Sequence, residues 1–328
     1  MHFTNAFILA LFLVACGDDN GSSPAPDDLS SSSKNVKSSS SSKTVRSSSS
    51  SKTVIQSGDS HEKSSSSSSK TVILSSSEGS CSRPANSSSS EYVPFDHSKT
   101  LAGDWRVGEN AYKQFTDTRN GRSYYYIKIV GERPAGRKDS VTIMAENLNI
   151  GEMVSGKKNQ NDDDKIERYC YNNDTTYCDE FGGLYQWAEM MQLPNRCNTE
   201  SCADLIQENH QGICPDGWRL MTYKDFYIAW HAETNTNGVE GLRSMYGFNG
   251  YNSSGLSFVG AGWRMPDNDG FEKLRETAYW FYPSEFSDEP TKAFYSLLSG
   301  VHDYPPSNSD KYPKTYGMSV RCVMVEKQ

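Results

Sequence analysis

The spacing of hydrophobic positions changes twice along this chain, and each of the three stretches predicts a different kind of structure. Residues 6–15 are almost wholly apolar, and the run stops at Leu13-Val14-Ala15-Cys16. That is too short for a bilayer-spanning helix, which needs about 20 apolar residues, but it has the length of a signal-peptide core. From Gly17 to about Ser90 apolar residues are sparse and Ser dominates. Lys34-Asn35-Val36, Lys43-Thr44-Val45, Lys52-Thr53-Val54 and Lys70-Thr71-Val72 fall on one nine-residue grid with Ser runs between them. One Val per nine residues supplies no continuous apolar stripe, so the repeat does not predict a stacked solenoid. It predicts a disordered spacer that cannot bury enough apolar surface to fold, with an r.m.s. span on the order of 50 Å.

From about Tyr92 aromatic and β-branched residues become dense. Tyr124 to Val130 and Ser140 to Met144 read as strands separated by residues 131–139. After Gly182-Gly183, Leu184, Trp187, Ala188 and Met191 fall at i, i+3, i+4 and i+7, the spacing of a core-facing helix, which Pro194 ends. A second helix is expected from Thr222, whose hydroxyl caps it with Asp225 three residues on. Phe226, Ala229 and Trp230 form its apolar face. The last third alternates short aromatic strands with turns at 255–263, 278–282, 293–298 and 316–325. Two helices among short antiparallel strands predict an α+β domain. The organisation expected is a signal peptide at 1–15, a lipidated Cys and Ser-rich linker at 16–91, and one disulfide-bonded domain at 92–328.

Composition and charge refine this picture. Small Ala15 directly before Cys16 is the arrangement of a bacterial lipobox, so Cys16 is the expected site of lipid attachment, although the segment before the apolar run carries no Lys or Arg. Three acyl chains on one residue give stable membrane anchoring. Asp18-Asp19 reads either as ordinary linker or as a mark of export to the outer face of the outer membrane. The expected location is therefore that of an outer-membrane lipoprotein at the cell surface. The net charge of −8 sits mostly downstream of the linker. With no basic patch among aromatics, it argues against a nucleic-acid partner.

Of the eight cysteines, Cys16 is the lipid site, Cys81 lies in the linker, and six fall in the domain. Cys170 and Cys178 flank a polar turn, Cys197 and Cys202 enclose four residues, and Cys214 and Cys322 remain as a bond across a long loop. Paired cysteines suit an exported protein. Zinc is the competing reading, but Cys197 and Cys202 are spaced too loosely, and His210, His231 and His302 show no ligand spacing.

Several ordered motifs resemble one known family. They are Phe115-Thr116-Asp117-Thr118-Arg119-Asn120-Gly121, Met144-Ala145-Glu146-Asn147-Leu148, Tyr169-Cys170-Tyr171, Gly182-Gly183-Leu184-Tyr185-Gln186-Trp187, Cys214-Pro215-Asp216-Gly217-Trp218-Arg219-Leu220, Gly241-Leu242-Arg243-Ser244 and Gly317-Met318-Ser319-Val320-Arg321-Cys322-Val323. Together, over roughly residues 114–328, they are similar to the Fibrobacter succinogenes major paralogous domain. The resemblance implies an exported protein with a C-type-lectin-like fold, in which a Cys near the first helical region pairs with one in the last strand, here Cys214 with Cys322. The chain departs from the family at Arg219-Leu220-Met221, Tyr279-Trp280-Phe281 and Val259-Gly260-Ala261. The family carries no established activity.

Lectins of that fold hold sugar through Ca²⁺ on a Glu-Pro-Asn or Gln-Pro-Asp triplet, whereas this chain has Glu289-Pro290-Thr291, without the side-chain amide. Asn161-Asp162-Asp163-Asp164 reads as a solvated insertion and Asp267-Asn268-Asp269-Gly270 as a hairpin turn. An oxidase on this fold needs a redox cysteine pair, yet all six domain cysteines have structural partners. No Gly-x-Ser-x-Gly elbow or His-Glu-x-x-His motif occurs. Glu146 reads as an internal hydrogen-bonding residue rather than a catalytic acid. Trp263, Tyr282 and Tyr304 are candidate platforms for sugar rings. The expected function is a non-enzymatic display module, anchored to the membrane and free of cofactor and metal, that binds a polysaccharide, an envelope glycan or an envelope protein. The alternatives are a structural or assembly protein of the envelope, or an envelope enzyme with scattered residues.

Overall fold

A computed structural model describes residues 92–108, 110–267 and 270–326. The expected signal peptide, Cys16, the linker repeats and Cys81 lie outside the described residues. Helix α1, Ser98–Leu101, is followed by strands β1, Tyr112–Thr116, β2, Ser123–Arg133, and β3, Arg137–Met144, which form an antiparallel meander. Both strands expected in this region are present and longer than expected. They narrow the turn to Pro134-Ala135-Gly136, with Gly136 at φ +71°. Within β2 the alternation is clear: Ile127, Ile129 and Gly131 are buried, while Lys128 and Val130 are exposed, the two-residue period of a strand with one face inward.

The middle of the chain holds short pieces: β4, Glu152–Met153, β5, Glu167–Arg168, α2, Thr175–Phe181, β6, Leu184–Tyr185, α3, Trp187–Met191, β7, Trp218–Leu220, and α4, Tyr223–Trp230. Helix α4 carries the expected capping box, with Thr222 and Asp225 bonding each other's backbone N–H groups, so both donors are satisfied. Phe226 and Ala229 are buried as expected, and Trp230 is half-buried. Four α-helices are described rather than two. The helix expected from Leu184 starts only at Trp187, because Leu184 and Tyr185 are drawn into a strand ladder. An apolar period of 3.6 is a weaker constraint than an available sheet edge.

The last third supplies β8, Ala261–Arg264, β9, Phe271–Leu274, β10, Thr277–Glu285, β11, Lys292–Ser299, β12, Lys311–Pro313, β13, Met318–Ser319, and β14, Cys322–Met324. One five-stranded sheet has the order β1-β2-β3-β14-β7; a seven-stranded sheet runs β12-β11-β10-β13-β6, with β8 against β10 and β9 against β8. The strand expected over 255–263 is realised only at its end, as β8. The one expected over 316–325 splits into β13 and β14, which belong to different sheets. The crossing passes through Val320 and Arg321, both buried. The domain is a mixed α/β fold built around two main apolar clusters, one on each side of β10: Tyr279 and Phe281 face one, and Ala278, Trp280 and Tyr282 the other.

Three disulfides lock this arrangement: Cys170–Cys178, Cys197–Cys202 and Cys214–Cys322, with Cα separations of 5.0, 5.6 and 5.9 Å. All lie within the range of an unstrained bridge. The third joins the segment before β7 to β14, across 108 residues.

Candidate binding face

Strand β10 turns Tyr279 and Phe281 to one side, and its neighbours surround them with aromatic rings. β8 runs parallel to β10 with Gly262 opposite Ala278, so Trp263 stacks on Tyr279 at 4.2 Å and 10°. On the other flank, Tyr279 is opposite Leu297 and Phe281 opposite Tyr295 of β11. β12 adds Tyr312, and the turn after it adds Tyr316, whose rings lie 5.1 and 5.0 Å from that of Trp263. Tyr295 and Tyr312 are 5.2 Å apart. Tyr279 is buried, whereas Trp263, Tyr295, Leu297, Tyr312 and Tyr316 are half-buried. The result is a group of rings backed by the core and open at its outer surface.

Exposed carboxylates edge the rings. Glu272 of β9 is the cross-strand partner of Trp263, and Asp267 and Asp310 are also exposed. Partial burial pushes the Tyr316 hydroxyl up to about 12, reinforced by Tyr312, Asp267 and Glu272. Burial, with Asp310 adding to it, does the same for Tyr295. Both phenols are therefore neutral hydroxyls that donate or accept at neutral pH. The buried Trp263 Nε1–H has no hydrogen-bond partner among the described residues. Chemically, such a face presents apolar ring surface for C–H groups and oxygens for hydroxyl groups.

A second cluster lies at the opposite extreme of exposure. Glu146 follows β3, and its Oε1 accepts the Tyr125 N–H at 2.6 Å. Its Oε2 is 3.0 Å from His97 Nδ1, without hydrogen-bond alignment. His97 Nε2 lies 2.6 Å from Arg122 Nη2. A guanidinium only donates, so Nε2 accepts and the ring proton sits on Nδ1, facing Glu146. Burial raises the Glu146 carboxyl to about 7 against the pull of the Tyr125 N–H, Arg122 and Arg321. Burial and then Arg122 lower His97 to about 4. The adjoining void is only about 10 Å³, the room of a single water. The cluster ties together the segment holding His97, strand β2 and the turn after β3.

The expected site residues separate accordingly. Trp263 belongs to the ring group. Tyr282 does not: it is 2 % exposed and donates to Ser296 Oγ, because its side of β10 faces the other apolar cluster. Tyr304 is 64 % exposed but neighbours His302 instead. Tyr279, Tyr295, Tyr312 and Tyr316 were not singled out in the sequence. The i, i+2 period of β10 and β11 carried the signal for the first two, but the cross-strand register needed to group them was not legible. Glu146 is internal, as expected. Glu289 is held by Lys292 and Lys311, which leaves Glu289-Pro290-Thr291 no free carboxylate for an ion. Asp163 accepts the Asn195 N–H, and Asp162 accepts that of Asp164. Asn268 and Asp269 lie outside the described residues. Among the described residues no three metal-ligating side chains converge.

A groove of about 600 Å³ runs beside β3, β14 and the start of α4, past Arg133, Asp139, Arg219 and Asp225. It is lined by charges of both signs and by none of the Trp or Tyr rings.

No curated protein and no solved structure matches the chain. Residues 141–324 match the Fibrobacter succinogenes major domain, a span that takes in β8 to β12, the strands that carry the ring group, and all three disulfides. It covers more than half of the 328 residues, and the chain belongs to that family.

Proposed function

We propose that this protein is a lipid-anchored display module of the cell envelope whose disulfide-bonded, C-type-lectin-like domain binds a glycan without transforming it. The observation that carries the reading is the half-buried group of Trp263, Tyr295, Tyr312 and Tyr316 with exposed carboxylates at its edge. A pyranose ring has an apolar face of C–H groups and a rim of hydroxyls, and such a surface complements both. The lectin-like fold is supported by the bond from the last strand to the segment before β7. The non-enzymatic reading is supported by the small void, about 10 Å³, beside the His97–Glu146 pair. Lipid attachment at Cys16, with the Ser-rich linker as a spacer, places the domain beyond the membrane surface.

Two experiments test this. Cys16→Ala should abolish incorporation of a palmitate analogue in cells, and equal labelling of both proteins would refute the anchor. Trp263→Ala and Tyr312→Ala should weaken retardation of the protein in gels cast with soluble polysaccharide by tenfold or more. Retardation unchanged by both would remove the ring group as the site.

A further inference from the structure

The ring group is strongly non-planar, and that geometry narrows what it accepts. Trp263 is tilted 34° to Tyr312 and 53° to Tyr316, Tyr312 is at 85° to Tyr316, and Tyr295 is at 53° to Tyr312. The one near-parallel pair, Trp263 and Tyr279, stacks face to face, so those two faces are spent on each other. A crystalline polysaccharide presents a plane of sugar rings and is met by coplanar, outward-facing aromatics. Tilted rings instead meet a single chain from several directions.

Charge narrows it further. Asp267 and Glu272 stand on the Tyr316 side and Asp310 on the Tyr295 side. The two lysines beside them are each paired with a further carboxylate: Lys273, whose charge reaches Tyr279, with Glu276, and Lys311 with Glu289. The rim is therefore net negative. Its exposed carboxylates accept hydrogen bonds from neutral hydroxyls while remaining hydrated, and they repel uronates and phosphates.

Resting on the glycan-binding reading above, we infer that the face takes a single, uncharged polysaccharide chain in solution, and neither a crystalline surface nor an acidic glycan. The test uses the full-length protein in detergent. Affinity electrophoresis is run against soluble neutral polymers (a mixed-linkage β-glucan, a galactomannan and an α-glucan) and against polygalacturonate, with a pull-down on an insoluble crystalline β-glucan. The expected result is retardation by at least one neutral polymer, reduced tenfold or more in Tyr312→Ala. Polygalacturonate should bind at least tenfold more weakly, and the triple variant Asp267→Asn, Glu272→Gln, Asp310→Asn should narrow that gap. Unchanged near-ultraviolet circular dichroism establishes that each variant is folded. Retention on the crystalline polymer that Tyr312→Ala abolishes, or polygalacturonate binding equal to the neutral polymers, overturns this inference and leaves glycan binding standing. Absence of retardation by every polymer overturns both.

Discussion

His97 and Glu146 are pushed in opposite directions by the same burial, and the consequence for stability depends on the sign of each. Glu146 is raised from 4.5 to about 7, so its protonated form is favoured in the folded protein. Its contribution is fully present below pH 4.5 and is lost as pH rises through 7. His97 is lowered from 6.5 to about 4, so its neutral form is favoured; its contribution is present above pH 6.5 and is lost as pH falls through 4. Between pH 4.5 and 6.5 the two slopes oppose each other. Arg122, Asp96, Asp179, Glu180 and Arg321 are charged groups around the pair. Glu146→Gln removes one slope and leaves the other. The variant should lose about 3 kcal/mol between pH 6.5 and 4 from the His97 shift, where these two groups leave the wild type nearly level down to pH 4.5. His97→Asn should lose stability instead as pH rises from 4.5 to 7. Urea midpoints across this range measure both, and a level profile in Glu146→Gln would show that His97 is not depressed.

The elements show which features were legible in the sequence. α4 was readable because its signal is local: a capping residue, its partner three positions on, and an apolar face, all between Thr222 and Trp230. Thr222→Ala should therefore destabilise the domain by about 1 kcal/mol, measured by thermal unfolding, and Thr222→Ser should restore most of it. β2 and β3 were readable for the same reason, through local runs of aromatic and β-branched residues. The segments around Leu184, Gly255 and Tyr316 were not. Their fate depends on which distant strand they meet: β6 on β13, and β13 and β14 on opposite sheets. The ring group fell in that gap, since Trp263, Tyr279, Tyr295 and Tyr312 come together only through the register of β8, β10, β11 and β12. Cysteine spacing, by contrast, gave long-range information directly. Cys214–Cys322 closes a loop of 108 residues and Cys197–Cys202 one of 5. Loop-closure entropy grows with loop length. Replacing Cys214 and Cys322 together by Ala should lower stability by about 2–5 kcal/mol, and more than the same change at Cys197 and Cys202. Equal losses in denaturant titrations would mean that packing, not loop closure, dominates.

At the scale of the whole molecule, the family match begins at residue 141, yet the folded unit begins earlier, with a strap that runs into the core. The Thr100 carbonyl accepts from the buried hydroxyls of Ser244, at 2.6 Å, and Ser257. The Leu101 carbonyl accepts from Asn252 Nδ2 at 3.0 Å, and the Asp104 N–H donates to the Tyr251 carbonyl at 3.1 Å. Phe95 packs on Tyr246 with ring centroids 5.4 Å apart, and His97 fills the space between Arg122 and Glu146. Gly103 lies so close to Asn252 that a Cβ there would sit 2.8 Å from the Asn252 Cβ. These bonds take up the buried Ser244 and Ser257 hydroxyl protons, donors that would be costly to leave unmet in the interior. The strap is thus part of the domain's polar core rather than the end of a spacer. A chain starting at Trp105 should be less stable than one starting at Tyr92 by about 4 kcal/mol, counting four hydrogen bonds at about 1 kcal/mol each. Ser244→Ala with Ser257→Ala, in a chain starting at Trp105, should then cost little more, because the hydroxyls have already lost Thr100. Urea unfolding of the four proteins in this cycle measures the coupling. Additive losses would show that the strap and the loop are independent.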